Sequence, residues 1–510
     1  MNTLSMLMDG FVQAMTLPNL AMCGVGVLIG TLVGVLPGLG PASSIAILLP
    51  LTAVLSPSQS IIMLAGIYYG SQYGGSTTSI LLNIPGEASS VVTCIDGYPM
   101  AQKGKAGVAL GVSAIGSFIA GTLGVVGLVF FAPVFAEYSL AFGPPEYFAL
   151  MLLSMSIVIN FTGQSVVKGL IVGLIGYVLS CIGVSPFCGM ERFTLGMDSL
   201  YGGIETVSMI IGLVAVKEVI IGLEEEQVAV SAGEIGRVFP SWSDLRRSIG
   251  SMLRGGVIGF FLGLLPGCSP TVSTFMSYDL EKKLSKHPEE FGHGAIEGVA
   301  GPESANNANG SAGFIPLLSF GIPCTATMAM LLVGLQMYGI QPGPTLFSSG
   351  DGFVWTVIAS MFIGNILLVC LNLPLVGFWA RLTRVPYGIL GPVILVLCVV
   401  GSYTLNYRLF DVWVTLFFGV VGYFLSKYRW PVVPMILMFI LGSKMESSFT
   451  QSMSMSNDDL TIFFTRPISC VILVATVVLI GISIRLMLRT RARMREVQNG
   501  DGDGDFVDEN

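Results

Sequence analysis

Two polar runs interrupt an otherwise apolar chain. The first is Tyr68-Tyr69-Gly70-Ser71-Gln72-Tyr73-Gly74-Gly75-Ser76-Thr77-Thr78-Ser79, followed after three apolar residues by Asn83-Ile84-Pro85-Gly86-Glu87. The second runs from Gly301-Pro302-Glu303 through Asn306, Asn307 and Asn309 to Ser311, and its apolar continuation ends at Gly321-Ile322-Pro323. The chemistry on offer is coordination. Hydroxyls of Ser76, Thr77 and Thr78 and amides of Asn83, Asn306, Asn307 and Asn309 are hard oxygen donors suited to a dehydrated alkali cation such as Na⁺. Backbone carbonyls freed where Pro85-Gly86 and Pro323 break their helices add to them. Asn83, Asn306 and Asn307 are the first candidates for Na⁺ ligands. Glu303 is a functional candidate because an ionisable side chain inside a membrane is expensive to keep there; binding a cation, relaying a proton and pairing structurally all remain open to it. Glu87 and Glu297 fall nearer expected loop ends and rank lower. The competing structural reading is helix packing by small hydroxyl residues and a hydrogen-bond network of the asparagines.

These runs need elements to position them, and each follows a broken helix. Gly34-Val35-Leu36-Pro37-Gly38-Leu39-Gly40-Pro41 recurs as Gly263-Leu264-Leu265-Pro266-Gly267-Cys268-Ser269-Pro270. A proline-glycine pair ending an apolar stretch stops a helix and leaves backbone groups without partners. Such groups are tolerated in a bilayer only where they face protein or a wet cavity. Paired breaks of this kind in two halves point to a transporter's binding site. Half-helices restarting near Ser43-Ser44 and Thr271-Ser273 present N–H groups that suit a carboxylate. The repeat spacing is 229 residues from Pro37 to Pro266 and 238 from Pro85 to Pro323.

Composition fixes the class. The chain is 53% hydrophobic and 11% charged over 510 residues, with a mean hydropathy of +0.79. Soluble domains carry about 25% charged residues, so an all-α polytopic membrane protein is expected. Apolar runs place a re-entrant hairpin at about 17–55, then crossings near 61–97, 107–131, 147–161, 169–186 and 204–222, which complete a first repeat over 1–222. A cytoplasmic linker at 223–248 precedes a second repeat over 249–488. That repeat has a hairpin near 255–277 and crossings near 296–340, 353–380, 388–404, 410–426, 432–442 and 468–488. Eleven crossings put the termini on opposite sides.

Basic residues concentrate on the cytoplasmic side of membrane proteins. With the N-terminus outside and the C-terminus inside, 20 of the 24 Lys and Arg fall inside, and only Arg192, Arg408, Lys444 and Arg466 fall outside. Segments 1–19 and 52–60 flanking the first hairpin carry none, whereas Arg246, Arg247, Arg254, Lys282, Lys283 and Lys286 flank the second. The hairpins are therefore expected to enter from opposite sides, as inverted repeats. Lys217-Glu218 reads as a snorkelling pair at an interface, and 489–510 as a disordered cytoplasmic tail.

Nothing points to catalysis, a cofactor or a nucleic-acid partner. No Gly-Lys-Thr nucleotide loop or nucleophile beside a base is present. His287 and His293 share one loop, and Cys181 and Cys188 read as small hydrophobes rather than a bridge.

The motifs Leu36-Pro-Gly-Leu-Gly-Pro41, Tyr73-Gly-Gly-Ser-Thr-Thr-Ser-Ile-Leu-Leu-Asn83-Ile-Pro-Gly-Glu87, Arg192-Phe-Thr-Leu-Gly196 and Gly301-Pro-Glu-Ser-Ala-Asn-Asn-Ala308 resemble the large membrane subunit of bacterial tripartite tricarboxylate transporters, the TctA family. The resemblance runs from about Asn19 to Arg485. It implies a secondary importer of carboxylates in the bacterial inner membrane, coupled to Na⁺ or H⁺. The implied partners are a small membrane subunit and a periplasmic solute-binding protein, with homo-oligomers open. Cys268-Ser269 stands where the first hairpin has Leu39-Gly40, which suggests different jobs for the two halves. An anion channel, or a transporter acting without a binding protein, is the alternative.

Overall fold

Proline, glycine and small capping residues set where the helices begin and end. The computed structural model describes residues 3–36, 39–161, 166–185, 187, 189–224, 238–265, 268–348, 352–382 and 387–498. In the first half, helices α1 (Thr3–Ala14) and α2 (Leu17–Gly34) lead to a break, and α3 (Pro41–Leu48) restarts with proline in its first turn. Helix α4 (Pro57–Leu82) opens on a capping box of Ser56 and Gln59 and ends at Asn83, whose φ of 57° is left-handed. Then follow α5 (Val91–Met100), α6 (Ala106–Ser139), α7 (Pro144–Phe161), α8 (Val166–Ser180), a two-residue hairpin pairing Gly183–Val184 with Glu191–Arg192, and α9 (Thr206–Ile210), which continues through a π-helical stretch into α10 (Lys217–Glu224).

The second half also opens on a broken helix. Helix α11 (Trp242–Gly263) opens on a capping box of Ser241 and Asp244, breaks, and restarts as α12 (Pro270–Leu284). Helices α13 (Glu297–Ala312) and α14 (Phe314–Phe320) end at Gly321, left-handed at φ 70°. The remainder is α15 (Ala326–Met337), α16 (Pro344–Ser348), α17 (Phe353–Leu382), α18 (Tyr387–Asn406), α19 (Leu409–Lys427), α20 (Val433–Ser456), α21 (Ile462–Thr465) and α22 (Pro467–Gln498).

The breaks foreseen at Ile84-Pro85 and Ile322-Pro323 are present, so the run 61–97 is divided between α4 and α5 and the run 296–340 among α13, α14 and α15. Helix α11 begins inside the stretch read as linker, of which 225–237 lie outside the described residues, as do 499–510 of the tail. Lys217 and Glu218 do pair, at 2.5 Å.

Six segments among the described residues are long and apolar enough to cross a membrane: Leu17–Gly34, Ala88–Ser139, Thr206–Glu224, Phe353–Trp379, Gly388–Asn406 and Leu409–Lys427. Helix α4 is long enough but not in that set, and its residues from Ser60 to Leu82 are buried. Protein rather than lipid surrounds it, which is why its polar run is tolerated.

One contact recurs in both halves. Gly26, Gly30 and Gly34 of α2 lie so close to α4 that a Cβ on each would meet the carbonyl oxygens of Met63, Ile67 and Ser71 at 2.3–2.4 Å. Gly255, Gly259 and Gly263 of α11 stand in the same way to the carbonyls of Gly301, Ala305 and Asn309 on α13, at 2.1–2.6 Å. The glycine triplets are offset by the Pro37–Pro266 spacing and their partners by the Pro85–Pro323 spacing. Gly30→Ala and Gly259→Ala should each force helices apart and cost about 1–3 kcal/mol. Thermal unfolding in detergent checks this, and a large loss at one site with none at the other would deny their equivalence.

The halves also pack crosswise. Helix α6 lies along α11 and α13 of the second half, and α17 along α2 and α4 of the first. Likewise α20 packs on α7 and α8, while α18 and α19 pack on α10 and the π-helical stretch before it, and α19 also on α9.

Candidate functional site

Helix α13 carries the centre of the site because nearly its whole surface meets protein. Every residue from Gly298 to Ala312 is buried. Glu303, 1% exposed, accepts hydrogen bonds from the hydroxyls of Ser76 on α4 at 2.6 Å and Ser113 on α6 at 3.0 Å, both on Oε2. Thr93 of α5 donates to its Oε1. Three helices of the first half thus converge on one carboxylate of the second, and no Lys or Arg among the described residues pairs with it. One turn on, Asn307 Nδ2 donates to Ser117 Oγ of α6 at 2.7 Å and to the Glu303 carbonyl at 3.1 Å.

Asn306 and Asn309, one turn apart on α13, reach the two helix breaks. Asn306 Nδ2 donates to Glu87 Oε1 at 3.0 Å, and its Oδ1 accepts from Gln72 Nε2 at 3.4 Å. Glu87 in turn lies beside Gly40 at the first break: a Cβ on Gly40 would sit 3.7 Å from that of Glu87. Asn309 Nδ2 donates to the Cys268 carbonyl at 3.2 Å and to Ser273 Oγ at 2.9 Å, at the second break. A single buried helix therefore links Glu87, beside the first break, to the second break, through neutral amides that can bond a carbonyl, a carboxylate or a hydroxyl alike.

A second buried carboxylate secures the approach to α13. Asp96 Oδ1 accepts the backbone N–H groups of Gly292, Gly294 and Ala295 at 2.7–2.9 Å, and its Oδ2 accepts from Tyr278 Oη at 2.9 Å. Arg247 bridges Glu290 and Glu297 nearby, and its hydrogen bond holds the Glu290 carboxyl below the usual range.

A family model described as "Tripartite tricarboxylate transporter TctA family" matches residues 20–437, well over half of the chain. The chain belongs to the TctA family. It is 46% identical over 478 residues to an "Uncharacterized 52.8 kDa protein in TAR-I ttuC' 3'region" of Agrobacterium vitis, covering 93% of this chain and 94% of that one. An "Uncharacterized protein in TAR-II ttuC' 3'region" of the same organism is 46% identical over 215 residues, 42% of this chain and 89% of its own length. No solved structure matches. TctA membership and the apolar helices together make this a multi-pass membrane protein of a transporter family.

Within this TctA chain the residues singled out by sequence do not all meet. Ser76, Glu303, Asn306, Asn307, Asn309, Ser273 and Gly40 fall in the connected network. Thr77 and Thr78 turn their hydroxyls to their own helix, on the carbonyls of Tyr73 and Gly75, and Ser44 does the same toward Gly40. Ser43 is buried, Ser269 caps α12 without a side-chain hydrogen bond, and Thr271 is half-buried in the first turn of α12. Asn83 and Pro85 are exposed, whereas Gly86 is buried so tightly that a Cβ would lie 2.3 Å from the Gly75 Cα. Pro323 lines a small cavity with Ser154, Met155 and Pro434. Pro37, Gly38, Pro266 and Gly267 lie outside the described residues.

Sequence reasoning underrated Glu87 and missed Gln72, Thr93, Asp96, Ser113 and Ser117. The last pair had a signal: two serines four apart in an apolar helix mark one face.

Proposed function

We propose that the chain is the large membrane subunit of a cation-coupled importer of small carboxylates, citrate-like tricarboxylates among them. It receives substrate from a periplasmic binding protein and works beside a small membrane subunit in the inner membrane. The observation that carries this reading is Glu303, a carboxylate buried among three hydroxyls with no cationic side chain paired to it among the described residues. An ionised group in that position costs several kcal/mol, and a bound Na⁺ or proton removes the cost. Loading and release of the cation then bias the hairpins between two arrangements, because Asn306 and Asn309 connect the helix bearing Glu303 to Glu87, beside the first break, and to the second break. Substrate carboxylates meet the N-terminal turns of α3 and α12, where backbone N–H groups favour negative charge.

The crosswise packing and the matched glycine triplets support two repeats, and the basic flanks of the second hairpin support their inversion. Reporters fused near Ala53 and Lys283, both exposed, should report opposite sides of the membrane. Signals from one side would reject the inversion.

The function is tested by uptake of a panel of labelled carboxylates into proteoliposomes holding the chain, its small subunit and a binding protein. Uptake requiring an inward Na⁺ or proton gradient and the binding protein is expected. Flux indifferent to both gradients would identify an anion channel. Gradient-driven flux without the binding protein would identify a two-component or solitary transporter.

A further inference from the structure

The helix breaks at Pro85 and Pro323 carry opposite charges. Helices α4 and α14 both end on a left-handed residue, Asn83 and Gly321, and both chains run on through Ile-Pro to a capping residue, Glu87 and Thr325. Each of these pairs is 238 residues apart. The charged group at the first break is thus the Glu87 carboxylate. At the second break that position holds a neutral threonine, and the charged group at hand is an ammonium: a Cβ on Gly321 would lie 3.3 Å from Lys444 Nζ of α20.

Lys444 is exposed and stands over the Tyr147 ring at 5.3 Å, with no hydrogen bond or ion pair among the described residues. It is one of four basic residues that the charge bias places outside. The other three each meet a carboxylate: Arg192 with Glu446, Arg408 with Asp411 and Arg466 with Glu146. Two of those pairs adjoin Lys444, through Glu446 two residues on and Glu146 beside Tyr147, and each is neutral in itself. So many charged groups at one end place it at water rather than in hydrocarbon. A full positive charge with three N–H donors is left open there. The first turn of α15 follows the same break, presents N–H groups that favour an anion, and belongs to a helix packed on α20.

Resting on the reading of the chain as a carboxylate importer, we propose that Lys444 binds a carboxylate group of the incoming substrate at the outer end of this break. The first turn of α15 shares that negative charge, and the face of the Tyr147 ring steadies the ammonium. The two breaks then differ in sign, and the anion is taken at the one in the second half. A lysine near a helix C-terminus also stabilises the helix itself, here α14, and the test separates the two roles.

The test is equilibrium binding of ¹⁴C-labelled citrate, succinate and acetate to the full chain with its small subunit in lipid nanodiscs, at low and high salt. Wild type should bind at least one of them, and more weakly as salt rises. K444Q should weaken that binding by about tenfold or more, the scale of one hydrogen bond to a charged group, and flatten its salt dependence. K444R keeps the charge and should retain most of the affinity and the salt dependence. Thermal midpoints should stay at the wild-type value, and K444M, which keeps the aliphatic stem, serves should K444Q fail to fold. Wild-type affinity and salt dependence in K444Q would overturn the site and leave the importer reading standing. Equal losses in K444Q and K444R with lowered midpoints would also overturn it, marking Lys444 as a support for α14. Wild type binding none of the three carboxylates would overturn the importer reading along with it.

Discussion

Glu303→Gln should reduce gradient-driven uptake by roughly 10²–10³-fold while leaving the protein folded in the membrane. The amide keeps the shape of the side chain and its place among Ser76, Thr93 and Ser113. It removes the negative charge that a cation would neutralise. Breaking one side of a buried ion pair costs about 3–5 kcal/mol, and each 1.4 kcal/mol is about a factor of ten in affinity. Ser76→Ala and Ser113→Ala each delete one neutral donor and should cost far less, on the order of tenfold for a hydrogen bond to a charged group. Initial uptake rates at matched protein levels check the order. Serine variants as inactive as Glu303→Gln would show a hydroxyl network that matters more than its charge.

Asp96→Ala should be the most destabilising single change among the buried polar residues described above. It strands the N–H groups of Gly292, Gly294 and Ala295 and the hydroxyl of Tyr278. With about 1–3 kcal/mol for each buried group left unpaired and partial relaxation, a loss of roughly 3–5 kcal/mol follows. Asp96→Asn retains one acceptor oxygen and should fall between. Thermal unfolding in detergent reads both. An Asp96→Ala midpoint equal to wild type would mean that the 292–295 segment is held by other contacts. The effect extends to transport, because that segment leads directly into the helix bearing Glu303.

The sequence made some of these residues legible and hid others, for a physical reason. The breaks between Gly34 and Pro41 and between Gly263 and Pro270 declare themselves, since proline and glycine act on the local backbone. Glu303 and its asparagines stand out because polar residues are conspicuous in an apolar chain. Glu87 did not, because whether a residue after a helix break meets water or protein is decided by the fold: here the chain turns back and packs Gly86 against Gly75. Asp96 was equally silent, its partners lying nearly two hundred residues away as backbone N–H groups, which no side chain announces. The hydroxyls of Thr77 and Thr78 show another thing the polar run alone does not reveal. Threonine in a helix can satisfy itself on a preceding carbonyl, and both do. Crossing number is hard to read from composition alone, because a helix such as α4, buried in protein from Ser60 to Leu82, is not among the segments apolar enough to cross a membrane.

The most direct test of cation-coupled carboxylate transport is a paired flux measurement in proteoliposomes. Labelled carboxylate and ²²Na⁺ entry are followed together, with an internal pH dye for protons. The account predicts that adding substrate accelerates entry of one cation in fixed proportion to carboxylate. Carboxylate entering at full rate with neither Na⁺ nor proton movement would contradict it.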